Sequence, residues 1–231
     1  MPGTVVLMPN WLGDFVLALS VVERRAANGD QDVTLIVPES LHGLASRLTA
    51  LRTIAYRRKS RHEFLGTVGE IARASFDKIC ILPVSFSSAW LALRARIPVR
   101  RGVSGDYRRM FLTEVLPRSA FSRRDHLTEQ YARVLQIPHV PPEYWKGSPL
   151  EPSEQYRGWT VLCPGAIYGP AKRWPGFDAL TKQLVGQRIV LLGDKRDSQE
   201  SGTVGARLPH RVHNLMGKTT LVEAAAIVAG A

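Results

Sequence analysis

Short apolar runs rich in β-branched residues alternate with segments of helical period, and this alternation strongly constrains the fold. Thr4–Met8, Val33–Val37 and Lys78–Leu82 are three such runs, each followed by an amphipathic stretch. Strands that alternate with helices in this way are typical of parallel α/β sheets. The pattern predicts an α/β fold.

A proline-rich stretch interrupts the alternation once, after which it restarts. Five prolines fall between Ile137 and Pro152, a composition typical of a linker. We therefore predict two Rossmann-like domains that face a cleft: residues 1–140, a linker at 141–152, and a second domain at 153–231. The second domain has three predicted strands in about 80 residues, whereas a typical domain has roughly 100–150. We expect it to be incomplete.

Three local predictions rest on weaker patterns. Arginines break the apolar period from Arg100 to Arg124, so irregular structure is predicted there. A helical period predicts a helix over Ser198–Leu208. Cys80 and Cys163 lie in apolar runs, which predicts buried, reduced thiols in a cytosolic protein.

Positive charge is concentrated in one part of the chain. The sequence has 31 Lys and Arg against 20 Asp and Glu, a formal net charge of +11, and residues 51–133 hold 17 of these cations against 7 acids. Such a block attracts nucleic acid, anionic membrane, or phosphorylated and carboxylated substrates. Nucleic acid is the weakest of these alternatives because the block lacks interleaved aromatics and a helix-turn-helix signature.

The loop after the first predicted strand, Pro9–Asp14, is a candidate catalytic segment. In open parallel sheets, ligands bind at the carboxyl ends of the strands, where this loop lies. Gly13 permits a tight turn, and Asp14 stands at the start of a helix. Asp14 is either a carboxylate that complements the helix dipole or a general base that takes a proton from an attacking hydroxyl.

The second domain opens in a similar way, with a longer loop at Cys163–Pro175. Gly165 and Gly169 free backbone amides there, and Lys172 and Arg173 add positive charge. This composition indicates a diphosphate cradle. The alternative is a surface loop with solvated cations.

Metal chemistry has little support in the sequence. Asp30 and Asp32 have the D-x-D spacing of metal-dependent sugar transferases, but they precede a strand and so lie at the edge opposite the cleft. The six histidines show no ligand spacing with each other or with the cysteines. We expect no metal and no cofactor.

Five segments together resemble the lipopolysaccharide heptosyltransferases of glycosyltransferase family 9. In chain order they are PNWLGD, LPVSFSSAWLALRARIPVRRG, RRDHLTEQY, CPGAIYGPAKRWP and NLMGKTTLVEAAAIVAGA. The resemblance implies a GT-B fold, with the acceptor bound mainly by the first domain and the nucleotide sugar by the second. It also implies inverting, metal-independent transfer from ADP-L-glycero-D-manno-heptose to a lipid A–Kdo–heptose acceptor.

The resemblance also implies roles for individual residues. Asp14 matches the family's catalytic base, and Lys172 matches the lysine that holds the donor diphosphate. Thr219 falls where the family approaches the adenosine, and Asp197 is a weaker match to a ribose-binding acid. The other donor-loop residues are Ala166, Ile167 and Tyr168. We assign to the acceptor side Asn10, Trp11, Arg100, Arg101, Arg108 and Arg109.

The sequence departs from the family pattern at its end. It stops before an Asp-[Ser/Thr]-Gly-x-x-His segment, so we expect a C-terminally truncated chain that lacks part of the donor site. Two functions therefore stay open: a heptosyltransferase, or an inactive fragment or non-catalytic module that binds a nucleotide sugar or an anionic glycan. We expect a cytoplasmic monomer in peripheral contact with the anionic inner membrane, and no nucleic-acid partner.

Overall fold

The computed structural model describes residues 3–27, 32–122, 124–138, 150–167, 169–201 and 203–231. The chain divides into two compact units, Met1–Ser148 and Pro149–Ala231, which we describe separately. Most of the predicted linker lies outside the described residues. The predicted donor residue Tyr168 lies outside them as well.

The first unit alternates strands and helices throughout. Its strands are β1 Thr4–Leu7, β2 Val33–Pro38, β3 Arg52–Tyr56, β4 Lys78–Ile81, β5 Val99–Val103 and β6 Glu114–Leu116. Its α-helices are α1 Leu12–Ala27, α2 Glu39–Leu48, α3 Arg61–Ala74, α4 Phe86–Arg94 and α5 Leu127–Leu135.

These strands form one parallel sheet in the order β3-β2-β1-β4-β5-β6. The chain winds outward in one direction from β1 to β3 and in the other from β4 to β6. On one side of β1, Val6 pairs with Leu35, and on the other side it pairs with Cys80. The connections after β1 and β4 therefore diverge, which opens a crevice at the carboxyl ends of these two strands.

The sequence sets the start of α3 and α4 through side-chain caps. The Ser60 hydroxyl accepts a hydrogen bond from the Glu63 amide, and the Glu63 carboxylate accepts one from the Ser60 amide, each at 3.1 Å. This reciprocal pair is a capping box. Ser85 caps α4 in a simpler way, because its hydroxyl accepts from the Ser88 amide.

The prediction of irregular structure from Arg100 to Arg124 is wrong in part, because β5 and β6 occupy this stretch. The sequence does not predict β5 because Arg100 and Arg101 are consecutive, so they interrupt the apolar pattern on both faces of the strand. Their guanidinium groups instead donate to backbone carbonyls, including those of Phe111 and Val134.

The second unit is smaller and has three parallel strands in the order β7-β8-β9. They are β7 Thr160–Leu162, β8 Ile189–Leu191 and β9 Val212–Asn214, and the helices are α6 Phe177–Gln183, α7 Lys195–Ser201 and α8 Leu221–Gly230. One face of the sheet packs against α6 and the other against α8. In the described part of the chain, no helix is both long enough and apolar enough to span a membrane.

The helix predicted at Ser198–Leu208 begins three residues earlier and ends at Ser201. Its start is set by a pair of aspartates. The Asp194 carboxylate accepts from the Asp197 amide at 2.8 Å, and the Asp197 carboxylate accepts from the Asp194 amide at 2.9 Å. This pair caps the first turn, which the apolar pattern alone does not reveal.

Candidate functional site

A cavity of about 310 Å³ occupies the crevice between β1 and β4, and we call it the switch-point pocket. Its walls come from the loops after β1 and β4, the end of β5, and one face of α5. The lining residues are Pro9, Asn10, Trp11, Asp14, Leu82, Pro83, Val84, Ser85, Val103, Leu127, Gln130, Tyr131 and Val134. Ligand sites of open α/β sheets commonly lie at this position.

Asp14 lies in the first turn of α1 and contributes a half-buried carboxylate to the pocket. Asn10 and Trp11 line the same cavity, so the structure brings these three predicted residues together. Trp11 is 52% exposed. The amino end of α1, where the helix dipole is positive, carries this carboxylate.

Helix α5 supplies a wall that the sequence analysis did not assign to the site. Gln130 and Tyr131 face the pocket from this helix, and Tyr131 is buried. Burial raises the pKa of the Tyr131 phenol, and the nearby Asp14 carboxylate raises it further. The phenol therefore stays protonated at neutral pH and can donate a hydrogen bond. In the sequence, Tyr131 reads only as an aromatic on the apolar face of a helix.

Arg100 and Arg101 do not line this pocket, and their assignment to the acceptor side stays a prediction. Arg100 donates to the carbonyls of Ile97, Pro98 and Phe111, within the same part of the fold. Arg101 donates to the carbonyl of Val134 and to the Glu114 carboxylate, and also to the carbonyl of Arg133. Both side chains support the backbone around β5.

Arg108 is fully buried, with 0% exposure, so it cannot reach an acceptor from the surface and its assignment to the acceptor side is wrong. Its guanidinium donates to the carbonyls of Val103 and Pro83 and to the Ser88 hydroxyl. Burial lowers the pKa of Arg108 to about 10, which leaves it charged at neutral pH. Arg109, its neighbour, is exposed.

In the second unit, three loops meet at the carboxyl end of the sheet. The loop after β7 contains Gly165, and the loop after β8 contains Gly193. A β-carbon built at Gly165 would stand 1.9 Å from Cγ of Asp197, and one at Gly193 would stand 2.7 Å from its Oδ2. Only glycine permits this approach, so the two loops hold the Asp197 carboxylate between them.

The loop after β9 joins the same place through Gly217. Its amide donates to the Gly193 carbonyl at 2.9 Å, and its φ of +71° is a conformation that favours glycine. Exposed cations surround the three loops, and they are Lys172, Lys195, Arg196 and Lys218. An anionic ligand that approaches this edge therefore meets a positive field.

The predicted donor loop runs from β7 to α6 and presents Lys172 and Ile167 to solvent, with Ala166 half-buried. The Gly169 amide donates to the Ala166 carbonyl, and the Lys172 amide donates to the Gly169 carbonyl. These turns fold the loop back on itself. The Trp174 ring closes its end, because it packs against Gly176 and meets Phe177 edge-on at 5.2 Å.

Thr219 lies in a different cavity of the second unit, of about 400 Å³. Tyr156 and Lys218 line it as well, together with Glu223 and Ile227 at α8. Among the described lining residues, neither Asp197 nor Lys172 is present, so the structure does not bring the predicted adenosine contact together with the other donor residues in one cavity.

The prediction that both cysteines are buried is wrong for Cys163. Cys80 is buried in β4, whereas Cys163 is exposed because it follows β7 at the edge of the sheet. The described residues contain no group of three or more His, Cys, Asp or Glu side chains that could hold a metal ion. Asp32 precedes β2 as expected, and Asp30 lies outside the described residues.

Comparison with known proteins identifies relatives along nearly the whole chain. The family model "Glycosyltransferase family 9 (heptosyltransferase)" matches residues 68–231. Lipooligosaccharide heptosyltransferase 2 of Haemophilus influenzae is 26% identical over 262 residues, and lipopolysaccharide heptosyltransferase 2 of Escherichia coli is 27% identical over 267 residues. Each alignment covers 97% of this chain and 74% of the relative.

Solved structures agree with the sequence comparisons. E. coli ADP-heptose LPS heptosyltransferase II superposes with a TM-score of 0.81 at 27% identity, over 99% of this chain and 76% of that one. An E. coli heptosyltransferase solved with ADP shares the fold with a TM-score of 0.78 at 17% identity, over 99% of this chain and 79% of that one. The predicted α/β fold of the GT-B class is thereby confirmed. The chain belongs to glycosyltransferase family 9, the heptosyltransferases.

Proposed function

We propose that this glycosyltransferase transfers L-glycero-D-manno-heptose from ADP-heptose to a heptose of the lipopolysaccharide inner core, with inversion and without a metal. The observation that carries the proposal is the Asp14 carboxylate in the switch-point pocket. The relatives are named heptosyltransferases. The positively charged edge of the second unit suits a nucleoside diphosphate. We also propose that the enzyme works as a monomer in peripheral contact with the cytoplasmic face of the inner membrane, where a lipid-linked acceptor lies.

The Asp14 carboxylate accepts the proton of the acceptor hydroxyl as that oxygen attacks the anomeric carbon of the donor. A new carbon–oxygen bond forms on one face of the sugar while the bond to ADP breaks on the other. The electron pair of the broken bond leaves with ADP, so the anomeric centre inverts. Asn10 and Trp11 orient the acceptor sugar in the pocket beside Asp14.

Lys172 stabilises the charge that develops on the departing diphosphate, which is a form of transition-state stabilisation by fixed charge. The backbone of Ala166 and Ile167 frames the same loop, and Tyr168 belongs to it in sequence. Asp197, held between two glycine-containing loops, accepts hydrogen bonds from the ribose hydroxyls. Thr219 contacts the adenosine.

The substitution Asp14→Asn tests the catalytic base. It preserves size and polarity, so we expect kcat to fall by about 10²–10⁴-fold, the usual contribution of general base catalysis. The Kd for ADP-heptose, measured by titration calorimetry, should not change. Glu70→Gln, at an exposed carboxylate of α3, is the matched control and should leave both quantities unchanged. Normal turnover by Asp14→Asn would contradict the base assignment.

The substitution Lys172→Met tests the donor side, with Lys182→Met on α6 as the control. Lys182 is exposed as well, and its Nζ lies 2.7 Å from the Asp178 carboxylate on the same helix. We expect only Lys172→Met to weaken ADP binding, by about tenfold or more, because it removes a charge-assisted contact. Binding of ADP-heptose by the wild-type chain without turnover would instead favour a non-catalytic nucleotide-sugar binding module.

A further inference from the structure

Large apolar side chains are exposed in one region of the first unit. Eight are exposed in its described part, and five of these fall in two short segments, residues 84–90 and 107–110. The five are Val84, Phe86, Trp90, Tyr107 and Met110. We call these five residues, with Phe111, the aromatic surface. A cluster of exposed apolar side chains on a protein surface marks an interaction site.

Three rings of the aromatic surface, those of Phe86, Trp90 and Phe111, contact one another. Phe86 and Trp90 lie one turn apart on α4 and stack with their centroids 6.4 Å apart. Phe111, from the short helical turn after β5, meets both rings edge-on at 5.1 and 5.4 Å. Met110 precedes Phe111 and is 76% exposed. The two segments therefore form one patch.

The segment 104–111 is held firmly against α4. The Phe86 amide donates to the Asp106 carboxylate at 2.5 Å. Beneath it, the buried Arg108 guanidinium ties the carbonyl of Val103 to that of Pro83 and to the Ser88 hydroxyl. These contacts fix both halves of the surface, so it does not need to be ordered when a partner binds.

Tyr107 projects from this platform through an unusual backbone conformation. Asp106 and Tyr107 have φ angles of +48° and +53°, both in the left-handed region that non-glycine residues rarely adopt. The result is a tyrosine side chain that is 90% exposed. Such strain persists where the surrounding structure enforces it, and it is frequent at functional sites.

Positive charge borders the aromatic surface. The Arg94 guanidinium lies 5.8 Å from the centroid of the Trp90 ring, one turn further along α4. Arg109 and Arg118 are exposed, and Arg118 lies beside Gly105 in the same segment. The Asp106 carboxylate within this region already accepts a hydrogen bond from the Phe86 amide. The border therefore favours an anionic partner.

We propose that the aromatic surface docks the enzyme on a bilayer that contains anionic phospholipid. Tyrosine and tryptophan are the side chains that favour the boundary between headgroups and acyl chains, and arginines beside them attract anionic headgroups. A second copy of this chain fits less well, because a self-complementary contact would place the same arginines against each other.

The position of the surface gives docking a purpose, and this step rests on the proposed function. Val84 and Ser85 line the switch-point pocket and directly precede Phe86, so the pocket adjoins the surface. Insertion of the aromatic surface brings the pocket to the level of the headgroups. A sugar acceptor anchored by lipid chains then reaches the pocket without leaving the membrane.

Co-sedimentation with vesicles tests the proposal. The wild-type chain should bind vesicles made of equal parts phosphatidylglycerol and phosphatidylethanolamine, and bind phosphatidylcholine vesicles weakly. Met110→Asp should lower the partition coefficient by about tenfold, because it removes apolar contact and adds repulsion. Arg94→Ala should lower it by about fivefold, and high salt should abolish this difference. Val185→Asp, at a residue 81% exposed in the second unit, should have no effect.

Tryptophan fluorescence supplies a second readout that does not depend on folding stability. Vesicles with brominated acyl chains should quench the wild-type fluorescence, and Trp90→Phe should lose most of this quenching while it still sediments with the vesicles. Circular dichroism checks that each variant is folded. Equal vesicle binding by Met110→Asp and wild type, or unchanged quenching in Trp90→Phe, would overturn the proposal. So would self-association that Met110→Asp abolishes, without vesicle binding.

Failure of docking can be separated from failure of the proposed function. Vesicle binding needs no donor sugar, so it reports on the aromatic surface alone. Transfer to a deacylated, water-soluble acceptor needs no membrane, so it reports on the chemistry alone. Transfer without vesicle binding would overturn the docking surface, and vesicle binding without transfer would leave it intact and count against the proposed reaction.

Discussion

The Asp197 carboxylate occupies the space where a side chain at Gly165 would lie, with its Cγ only 1.9 Å from the position of a β-carbon there. The Asp197 side chain on α7 therefore packs directly against the backbone of Gly165 in the loop after β7, because glycine has no side chain there. This contact determines where the carboxylate stands at the edge of the second sheet.

Gly165→Ala should disrupt this contact. The new methyl group must displace Asp197, whose carboxylate also caps α7, so we expect the free energy of unfolding to fall by about 1–3 kcal/mol. ADP affinity should fall with it. Gly66→Ala is the opposite case, because nothing lies within 4 Å of a β-carbon there, in the middle of α3. We expect it to stabilise the protein by about 0.5–1 kcal/mol. Urea denaturation measures the free energy of unfolding of both variants. Equal changes in Gly165→Ala and Gly66→Ala would contradict the packing argument.

Arg108→Met should be strongly destabilising. The substitution removes two guanidinium donors from the Val103 carbonyl and one from the Pro83 carbonyl, which keeps the Ser88 hydroxyl, and an unpaired buried carbonyl costs about 1–3 kcal/mol. We therefore expect the free energy of unfolding to fall by about 2–5 kcal/mol in urea. Arg109→Met, at the adjacent exposed position, should change it by about 0.5 kcal/mol or less. Similar losses in both variants would mean that the buried guanidinium contributes little.

Tyr131 should make stability depend on alkaline pH. Its pKa is higher in the folded protein than in the unfolded chain, so its contribution is present below pH 10 and is lost as pH rises through the folded pKa. Between pH 9 and pH 11, Tyr131→Phe should lose about 1 kcal/mol less stability than the wild type. Burial also raises the pKa of Tyr56, so the pH dependence of stability in Tyr56→Phe is compared with that in Tyr131→Phe. Identical pH profiles for wild type and Tyr131→Phe would contradict the assignment.

The two cysteines should differ in reactivity. Iodoacetamide should modify the exposed Cys163 in the native protein and spare the buried Cys80. Although Cys163 is accessible, partial desolvation of its sulfur raises the pKa of the thiol, and the Asp197 carboxylate raises it further, so alkylation should be slow at neutral pH. Asp197→Asn keeps a hydrogen-bond acceptor but removes the charge, and we expect it to accelerate alkylation by about threefold. Mass spectrometry at pH 8 follows the rate of alkylation. An unchanged rate in Asp197→Asn would show that the Asp197 charge does not affect the Cys163 thiol.

The sequence predicts the elements that carry a clear period. The predicted strand at Val33–Val37 corresponds to β2, and the helix expected from about Asp14 to Ala27 corresponds to α1. The role of Asp14 as a catalytic base stays a prediction, whereas its place at the switch-point pocket follows from its position just after the first predicted strand of a parallel sheet. Position in the topology, rather than any single residue, carried that prediction.

The arginines show what the sequence does not reveal. From the sequence, Arg100, Arg101 and Arg108 are expected on the acceptor side of the cleft, yet their guanidinium groups donate to the backbone carbonyls of Phe111, Val134 and Pro83, respectively. Which carbonyl a long flexible side chain will reach depends on tertiary packing. The same holds for Tyr131, because only the packing of α5 against the crevice turns an ordinary helical aromatic into a pocket residue.

Because of the strand order of the first sheet, the residues that stabilise the fold differ from most of those that line the pocket. The strands that meet at the crevice are buried, whereas most side chains that line it come from the two connections and from helices α1 and α5. Asn10, Trp11 and Gln130 can therefore be varied together in a library without touching the strand core or the Ser85 cap of α4. We expect most members of such a library to fold, and to differ in the sugar that they accept.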